Sequence, residues 1–230
     1  MIPIPYIIKK NRRSRHVILR MSQQGLELTV PMRFNQKNIP TILEQHKSWI
    51  EKHYQIMQER KVNRDELPSE IALLALQQTW KIHYMQSQSQ TIEVITRPHH
   101  ELVLLGNVQD KLFAREILFS WLREQAKTHL IPWLNHLSDT TQLRFTDVGI
   151  RSQQSRWGSC SHAKKINLND RLLFLPPHLV SHIMIHELCH TRHLNHSARF
   201  WELVAKFDPQ SAENRRLLRK TKHFMPNWCE

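Results

Sequence analysis

The chain has 230 residues, 40% of them hydrophobic and 23% charged, which suffices for a buried core and is typical of a soluble globular protein. Its formal net charge of +13 is unusual and favours an anionic partner such as nucleic acid. Three widely spaced cysteines form no Cys-x-x-Cys pair, which argues against a disulfide framework or a cysteine zinc ribbon and favours a reducing compartment.

Neither a membrane span nor a secretory signal is expected. No window approaches eighteen uninterrupted apolar residues, the length that a bilayer requires. The N-terminal apolar run is short, is interrupted by Pro3 and Pro5, and precedes its basic cluster, which is the reverse of a secretory signal. We therefore expect a cytoplasmic protein with no membrane partner.

The first half of the chain reads as a β-rich segment with one helix. Alternating apolar residues predict strands over 6–10 and 15–30, with a turn at Gln24-Gly25. Apolar residues at helical spacing predict a helix over 41–60, and β-like stretches follow at 79–85, 91–96 and 101–105. The Gly106-Asn107 pair is the expected junction. The predicted domains are residues 1–106, the β-rich subdomain with one helix, and residues 107–230.

The second half begins with a predicted helix over residues 108–137, in which Pro132 either introduces a kink or separates two helices. Residues 143–150 alternate as a strand, and residues 155–161 and 166–169 form a predicted hairpin. Gly158 inside this hairpin indicates a bulge or a close approach by another backbone. An edge strand here could accept an extended peptide, or the hairpin could be purely structural.

The pattern His-Glu-x-x-His at residues 186–190 predicts a metal site with its own base. On a helix, His186 and His190 share one face and can direct two imidazole nitrogens at one ion. Glu187 lies beside the first ligand, where it can take a proton from a metal-bound water. A metal-free, histidine-rich surface helix is the alternative. Apolar residues before the motif argue for a buried helix instead; they are Leu179, Val180, Ile183, Met184 and Ile185.

A catalytic zinc needs a third protein ligand, and His196 is the expected one. Asn195 tolerates the left-handed backbone that ends helices, so the chain can turn back there. His193 is a nearer alternative. Glu202, on a helix predicted over residues 198–207 and capped by Ser197, is a rival ligand or a hydrogen-bond partner for a metal histidine.

A final helix carries a basic face that could bind phosphate backbones together with the basic N-terminal residues, although a solvated basic face would look the same. The residues are Arg215, Arg216, Arg219, Lys220 and Lys222, with Lys9, Lys10, Arg12, Arg13 and Arg15.

Several of these motifs together resemble the YgjP-like branch of the SprT-like zinc metallopeptidases. The similarity is carried by the run Arg156-Trp157-Gly158-Ser159-Cys160-Ser161, by Ile166-Asn167-Leu168-Asn169, by Pro176, and by His186-Glu187-Leu188-Cys189-His190 through His196, Phe200 and Trp201. The resemblance is dense over residues 155–201, and Arg12–Arg20, Val30-Pro31 and Trp49-Ile50 extend it upstream. Metzincins share the histidine spacing but have glycine where this chain has His193.

The resemblance implies an α+β fold, with a compact, gluzincin-like (zincin-like) catalytic core of helices and a small antiparallel sheet in residues 107–230. It further implies a zinc ion (Zn2+) held by His186, His190 and His196, with Glu187 as general base. It also implies that the strand at 156–161 borders the cleft.

The expected reaction is metal-assisted hydrolysis of peptide bonds in a polypeptide substrate. The expected substrate-binding residues are Arg156, Trp157, Gly158, Ser159 and His193, and Arg156 and His193 are the candidates to stabilise the oxyanion. Since related SprT-like enzymes act on DNA-bound proteins, nucleic-acid-associated proteins are a possible substrate class.

Two other functions stay open. A nucleic-acid-binding module with a structural metal predicts salt-sensitive binding and indifference to Glu187→Gln. A zinc hydrolase of small molecules predicts turnover of small amides or esters without any use of the strand at residues 156–161.

Overall fold

The chain forms two compact units, Met1–Glu66 and Leu67–Glu230. The computed structural model describes residues 4–22, 25–153, 155–220 and 224–229, and for residues 58–65 it describes the backbone alone. The junction expected at residues 106–107 lies inside the second unit. The sheet before that junction and the helices after it share one hydrophobic core, which is why the chain does not divide there.

The first unit packs a three-stranded sheet against helices. Its strands are β1 (Tyr6–Lys10), β2 (Ile18–Ser22) and β3 (Gly25–Val30), in the order β1-β3-β2 with β1 parallel to β3. Leu26, Leu28 and Val30 alternate into the core of this unit. The strand predictions are confirmed; Gln24 of the predicted turn lies outside the described residues. Where one helix was predicted, the structure has two, α1 (Ile39–Gln45) and α2 (Lys47–Asp65).

The second unit begins with a four-stranded sheet, in which three strands correspond to the predicted β-like stretches and the first, at residues 70–73, was not predicted. It contains β4 (Glu70–Leu73), β5 (Gln78–Gln86), β6 (Ile92–Arg97) and β7 (Glu101–Gly106), in the order β4-β5-β7-β6. Alternate residues of β5, including Trp80 and Ile82, are buried with Leu102 and Leu104 of β7 in the main core. This sheet therefore forms one wall of the unit that carries the metal motif.

Helix α3 (Lys111–Thr141) begins three residues later and ends four residues later than predicted, and it continues through Pro132. The Asp110 side chain accepts a hydrogen bond from the Phe113 N–H (3.0 Å) and caps the N-terminus. Leu130 and Leu134, on either side of the proline, are fully buried. Core packing thus holds the helix together across the position where proline removes a backbone donor.

A small sheet of three strands precedes the metal motif: β8 (Asp147–Arg151), β9 (Gly158–Cys160) and β10 (Lys165–Asn169). The order is β8-β10-β9, so β9 is an edge strand, and β9 pairs with β10 in the predicted antiparallel hairpin. β8 runs parallel to β10. The expectation of a purely antiparallel sheet was therefore wrong, because the chain crosses to the far edge as β9 before it returns as the central strand.

Three helices follow: α4 (Pro177–Cys189), α5 (Ala198–Phe207) and α6 (Ser211–Leu218). Pro177 occupies the first position of α4, where proline is favoured, and the bounds of α5 agree with the prediction. Ser197 precedes α5, but its side chain makes no capping hydrogen bond. The α+β class is confirmed, and none of the helices within the described residues combines the length and apolarity that crossing a bilayer would demand.

Candidate metal centre

Helix α4 positions the first two histidines. Its residues are buried nearly all round, and the helix ends at Cys189, with His190 at the C-cap in right-handed helical conformation. The His190 N–H still donates to the His186 carbonyl (3.3 Å), so the two side chains keep the four-residue helical relationship. Their ring centroids lie 4.9 Å apart.

The chain reverses at the end of α4 and brings back His196. The N–H groups of Arg192 and His193 both donate to the Cys189 carbonyl (3.1 and 3.0 Å), which closes the last turn. Asn195 is not among the described residues with positive φ, so the expected left-handed turn there was wrong. The reversal occurs earlier, through the tightened helix end, and places His196 Nε2 3.1 Å from His186 Nε2.

The structure brings His186, His190 and His196 together as a possible metal site. Their ligand nitrogens all lie within 4.8 Å of one another. Within the described parts of the chain neither His193 nor Glu202 belongs to such a group. His193 contributes its backbone instead: its carbonyl accepts a hydrogen bond from His190 Nδ1 (2.9 Å). The proton on Nδ1 leaves Nε2 of His190 free to bind a metal.

Aromatic side chains of α5 support these histidines. Phe200 is fully buried and stacks on His190, with ring centroids 4.5 Å apart and an interplanar angle of 27°. Trp201 stacks on His196 at 5.5 Å and 25°. Phe200 and Trp201 both belong to the run of residues that carries the family resemblance. The structure shows that they pack against the histidines themselves and restrict the ring orientations.

The environment favours neutral imidazoles, the form that binds metal. Burial is the main cause that lowers the pKa of His186 to about 3, and the neighbouring histidines act in the same direction. Burial also lowers the pKa of His190, although its hydrogen bond to His193 opposes the shift. Three imidazole nitrogen donors, one of them with its tautomer set by a backbone carbonyl, fit a divalent transition-metal ion.

Glu187 is a buried carboxyl group next to this site. It is 6% exposed, and burial raises its pKa to about 7, while the charge of Arg156 partly opposes that rise. Strand β9 passes directly against it. A Cβ atom added at Gly158 would lie 2.8 Å from both Cγ and Oε1 of Glu187. The close approach at this glycine is made by the Glu187 side chain and not, as predicted, by another backbone.

A cleft of about 270 Å³ opens beside Glu187 and His186. Of the five expected substrate-binding residues, Trp157 and Gly158 line it. Arg156 is exposed and acts electrostatically on Glu187, and Ser159 pairs with Asn167 in the hairpin. The remaining expected residue, His193, supplies a carbonyl to His190, as described above.

Sequence analysis missed other residues that line the cleft: His182, Ile183, Trp201, Arg215, Leu218 and Arg219. His182 is one helical turn before His186, which was an available signal. It is 2% exposed, and its Nδ1 lies 2.5 Å from Asp208 Oδ2. Asp208 also accepts hydrogen bonds from the Asn214 side chain (3.1 Å) and the Gln210 N–H (3.1 Å). This network joins α4 to the start of α6.

The comparison with protein-family models agrees with the motif-based resemblance. A search of curated proteins found no match. Among solved structures, the metallopeptidase zymogen of Pyrococcus abyssi abylysin matches with 28% identity and a TM-score of 0.35, over 39% of this chain and 91% of that one. The YgjP-like metallopeptidase domain matches residues 15–221 of this chain. Since that match spans most of its length, the chain belongs to the YgjP-like family and is a metal-dependent peptidase.

Proposed function

We propose that this protein is a zinc peptidase that holds the ion with His186, His190 and His196 and uses Glu187 as general base. One observation carries the proposal: three converging imidazoles lie beside a buried carboxyl group, and one of these imidazoles, His186, lines a cleft together with that carboxyl group and an edge strand. The catalytic pattern of three protein ligands with an open position fits this arrangement.

The donor set supports zinc in particular. Zinc takes imidazole ligands at about 2.0–2.1 Å in tetrahedral geometry, which puts two ligand nitrogens about 3.3 Å apart. The His186 and His196 Nε2 atoms lie 3.1 Å apart, close to that value. A bound zinc ion would supply Lewis acidity, which lowers the pKa of water and polarises the substrate carbonyl.

Glu187 would perform the proton transfers. Its raised pKa makes it a stronger base than an ordinary carboxylate, and Arg156 favours the ionised form that a base requires. We assign the proton of the attacking water to a carboxylate oxygen of Glu187, which then delivers it to the leaving amine nitrogen. Arg156 is also the better of the two candidates for oxyanion stabilisation, because it carries a positive charge that acts on Glu187 next to the metal site.

Strand β9 would hold the substrate. It pairs with β10 on one side and, within the described residues, has no strand on the other. An extended peptide can add to that edge through main-chain hydrogen bonds. Gly158 and Trp157 would then face the substrate where the strand passes Glu187, so the scissile bond would lie next to the base.

The test combines elemental analysis with casein cleavage in four proteins: wild type, His196→Ala, Glu187→Gln and Glu202→Gln. We expect equimolar zinc in all except His196→Ala. Cleavage should fall about 10²–10⁴-fold in Glu187→Gln, the range for loss of a general base. Glu202 is the control, because it is an exposed acid of α5 that lies outside the histidine group in the described structure.

Two outcomes would contradict the proposal. Full zinc occupancy without peptide cleavage, together with salt-sensitive nucleic-acid binding, would indicate a structural metal in a binding module. Turnover of small esters or amides without peptide cleavage would indicate a hydrolase of small molecules.

Nucleic-acid-associated proteins are the substrate class that we propose on the basis of charge. Lys10, Arg12 and Arg13 are exposed near the end of β1 and have no carboxylate partner among the described residues, whereas Lys9 pairs with Glu27 at 3.0 Å. Unpaired surface cations of this kind can bind phosphates. Stimulation of casein cleavage by duplex DNA, lost when Lys10, Arg12 and Arg13 are replaced by glutamine, would support it; no stimulation at low salt would contradict it.

A further inference from the structure

Helix α6 and its C-cap contribute two arginines to the catalytic cleft, Arg215 and Arg219. The guanidinium carbon of Arg215 lies 3.8 Å from the centroid of the Trp201 ring. A guanidinium group at this distance from an indole ring is attracted to its electron-rich face and stacks on it. Trp201 therefore restricts an otherwise flexible and exposed side chain.

Trp201 also links this arginine to the metal ligands. Its ring stacks on His196, and its centroid is 5.7 Å from that of His186. The contacts form a continuous series from Arg215 through Trp201 to His196. Because His196 is fixed by its place in the histidine group, the series sets the guanidinium at a defined position relative to the reacting atoms.

The two arginines have no counter-charge among the residues that the structure describes. Within the described residues, neither Arg215 nor Arg219 forms a salt bridge. Their neighbour Arg216, in contrast, makes a bidentate pair with Glu213, with distances of 2.8 and 2.6 Å. The unpaired arginines are those that line the cleft, and the paired arginine does not line it.

The cleft as a whole is electropositive. Glu187 is the only carboxyl group among its described lining residues, against the two arginines. A bound divalent cation would add further positive charge. Such a cleft favours a ligand with negative charge.

We propose that Arg215 and Arg219 bind a substrate carboxylate, so that this enzyme prefers peptides with an acidic group close to the scissile bond. The inference rests on the proposed peptidase function. The carboxylate can belong to a Glu or Asp side chain or to a free C-terminus, because both present the two oxygens that match the planar guanidinium. Trp201 acts as a positioning residue for Arg215.

The experiment uses fluorogenic octapeptides of alanine. In one series a single Glu replaces each alanine in turn, and in the matched series Gln does. The all-alanine peptide is prepared with a free and with an amidated C-terminus. We expect kcat/KM for at least one acidic peptide to exceed that of its neutral partner by about tenfold or more, the range for a hydrogen bond to a charged group. The Glu series tests a side-chain source and the two C-termini test a terminal source.

The ratio of kcat/KM for the acidic peptide to kcat/KM for its neutral partner is then compared among variants of the full chain. It should fall towards one in Arg215→Gln and in Arg219→Gln, and part of the way in Arg215→Lys, which keeps the charge but not the planar fork. Arg216→Gln is the matched control, since it removes the same charge from the same helix outside the cleft, and it should keep the wild-type ratio.

A binding measurement separates this inference from the proposed function. The same peptides are titrated into the zinc-loaded Glu187→Gln protein, whose affinities do not depend on turnover. Tighter binding of acidic peptides, lost in the additional Arg215→Gln background, would support the inference even if the wild type cleaved nothing. Equal affinities and equal kcat/KM values for all matched pairs would overturn it. Equal peptide affinities with Arg215-dependent binding of a short DNA duplex would also overturn it, and would identify phosphate as the ligand.

Discussion

Gly158 on the edge strand and Glu187 on the metal helix lie in direct contact. A Cβ atom at Gly158 would be 2.8 Å from the Glu187 Oε1 and Cγ atoms and 3.0 Å from Cδ, closer than non-bonded carbon and oxygen atoms approach. The glycine is needed here for space rather than for an unusual backbone angle. The same strand that would bind the peptide backbone therefore also limits the position of the base.

Gly158→Ala is expected to lower kcat/KM by about 100-fold, because the added methyl group displaces the Glu187 carboxylate by a distance of the order of 1 Å. Zinc content should stay at the wild-type level, since Gly158 does not belong to the histidine group. Gly149→Ala is the matched control: it lies in the same sheet, and its Cβ atom would be 3.1 Å from the terminal oxygen of Asn167. Equal activities of the two variants would show that the contact has no catalytic consequence.

Sequence reasoning found the metal helix because its evidence was local. The spacing of His186 and His190 and the apolar residues around them depend only on helical periodicity. The hairpin and its glycine were likewise visible as a change to alternating pattern followed by a turn. The helix and the hairpin both depend on residues close together in the sequence, and the structure confirms that the first is helical and the second an antiparallel pair of strands.

The features that were missed depend on contacts between distant parts of the chain. Arg215 looked like a member of a basic surface, and only the fold shows that it stacks on Trp201 in the cleft. The domain junction was sought at a glycine, but shared burial between the sheet and α3 decides where the units separate. His193 was considered as a ligand by spacing, whereas the helix end presents its carbonyl to His190.

Trp201→Ala should weaken zinc binding about 10- to 100-fold, the usual effect of losing a side chain that orients a metal ligand. The indole stacks on His196, and without it that imidazole gains freedom that binding would have to remove. Trp201→Phe, which keeps an aromatic ring, should lose less zinc affinity than Trp201→Ala. Affinity is measured by competition with a chromogenic chelator.

The control for this substitution is Trp49→Ala, which removes a comparable tryptophan–histidine stack, with His53 at 4.2 Å, from the first unit. Its zinc affinity should equal that of the wild type. If Trp201→Ala also bound zinc normally, the stack on His196 would have no role in holding the metal.

Asp208→Ala should lower the free energy of unfolding by about 1–3 kcal/mol, because it leaves the buried His182 and Asn214 without their acceptor. Asp208→Asn retains one acceptor oxygen and should lower the free energy of unfolding by less than Asp208→Ala does. Urea denaturation at constant m-value provides the measurement. Asp139→Ala, which removes the exposed partner of Arg144, serves as the control and should change stability by less than about 1 kcal/mol. Similar losses in both alanine variants would mean that the buried network contributes no more than a surface ion pair.

The buried Glu187 carboxyl group should make the metal-free protein less stable as the pH rises. Its pKa is about 7 in the folded chain against 4.5 as the ordinary value, so the folded state binds more protons than the unfolded state between these limits. Stability is therefore lost from about pH 4.5 upwards, and the loss is complete above about pH 7. At about 1.36 kcal/mol per pH unit, that interval corresponds to about 3 kcal/mol.

Glu187→Gln removes this ionisation, so after chelation of the metal the variant should gain about 3 kcal/mol on the wild type between pH 4.5 and pH 8.5. The lowered pKa of His186 acts in the opposite direction, with stability gained between about pH 3 and 6.5, but it acts equally in both proteins and cancels in the comparison. Urea denaturation at the two pH values measures the difference. If the difference in free energy of unfolding between the variant and the wild type did not change over this pH range, Glu187 would have an ordinary pKa despite its burial. Its role as a base would then depend on its position alone.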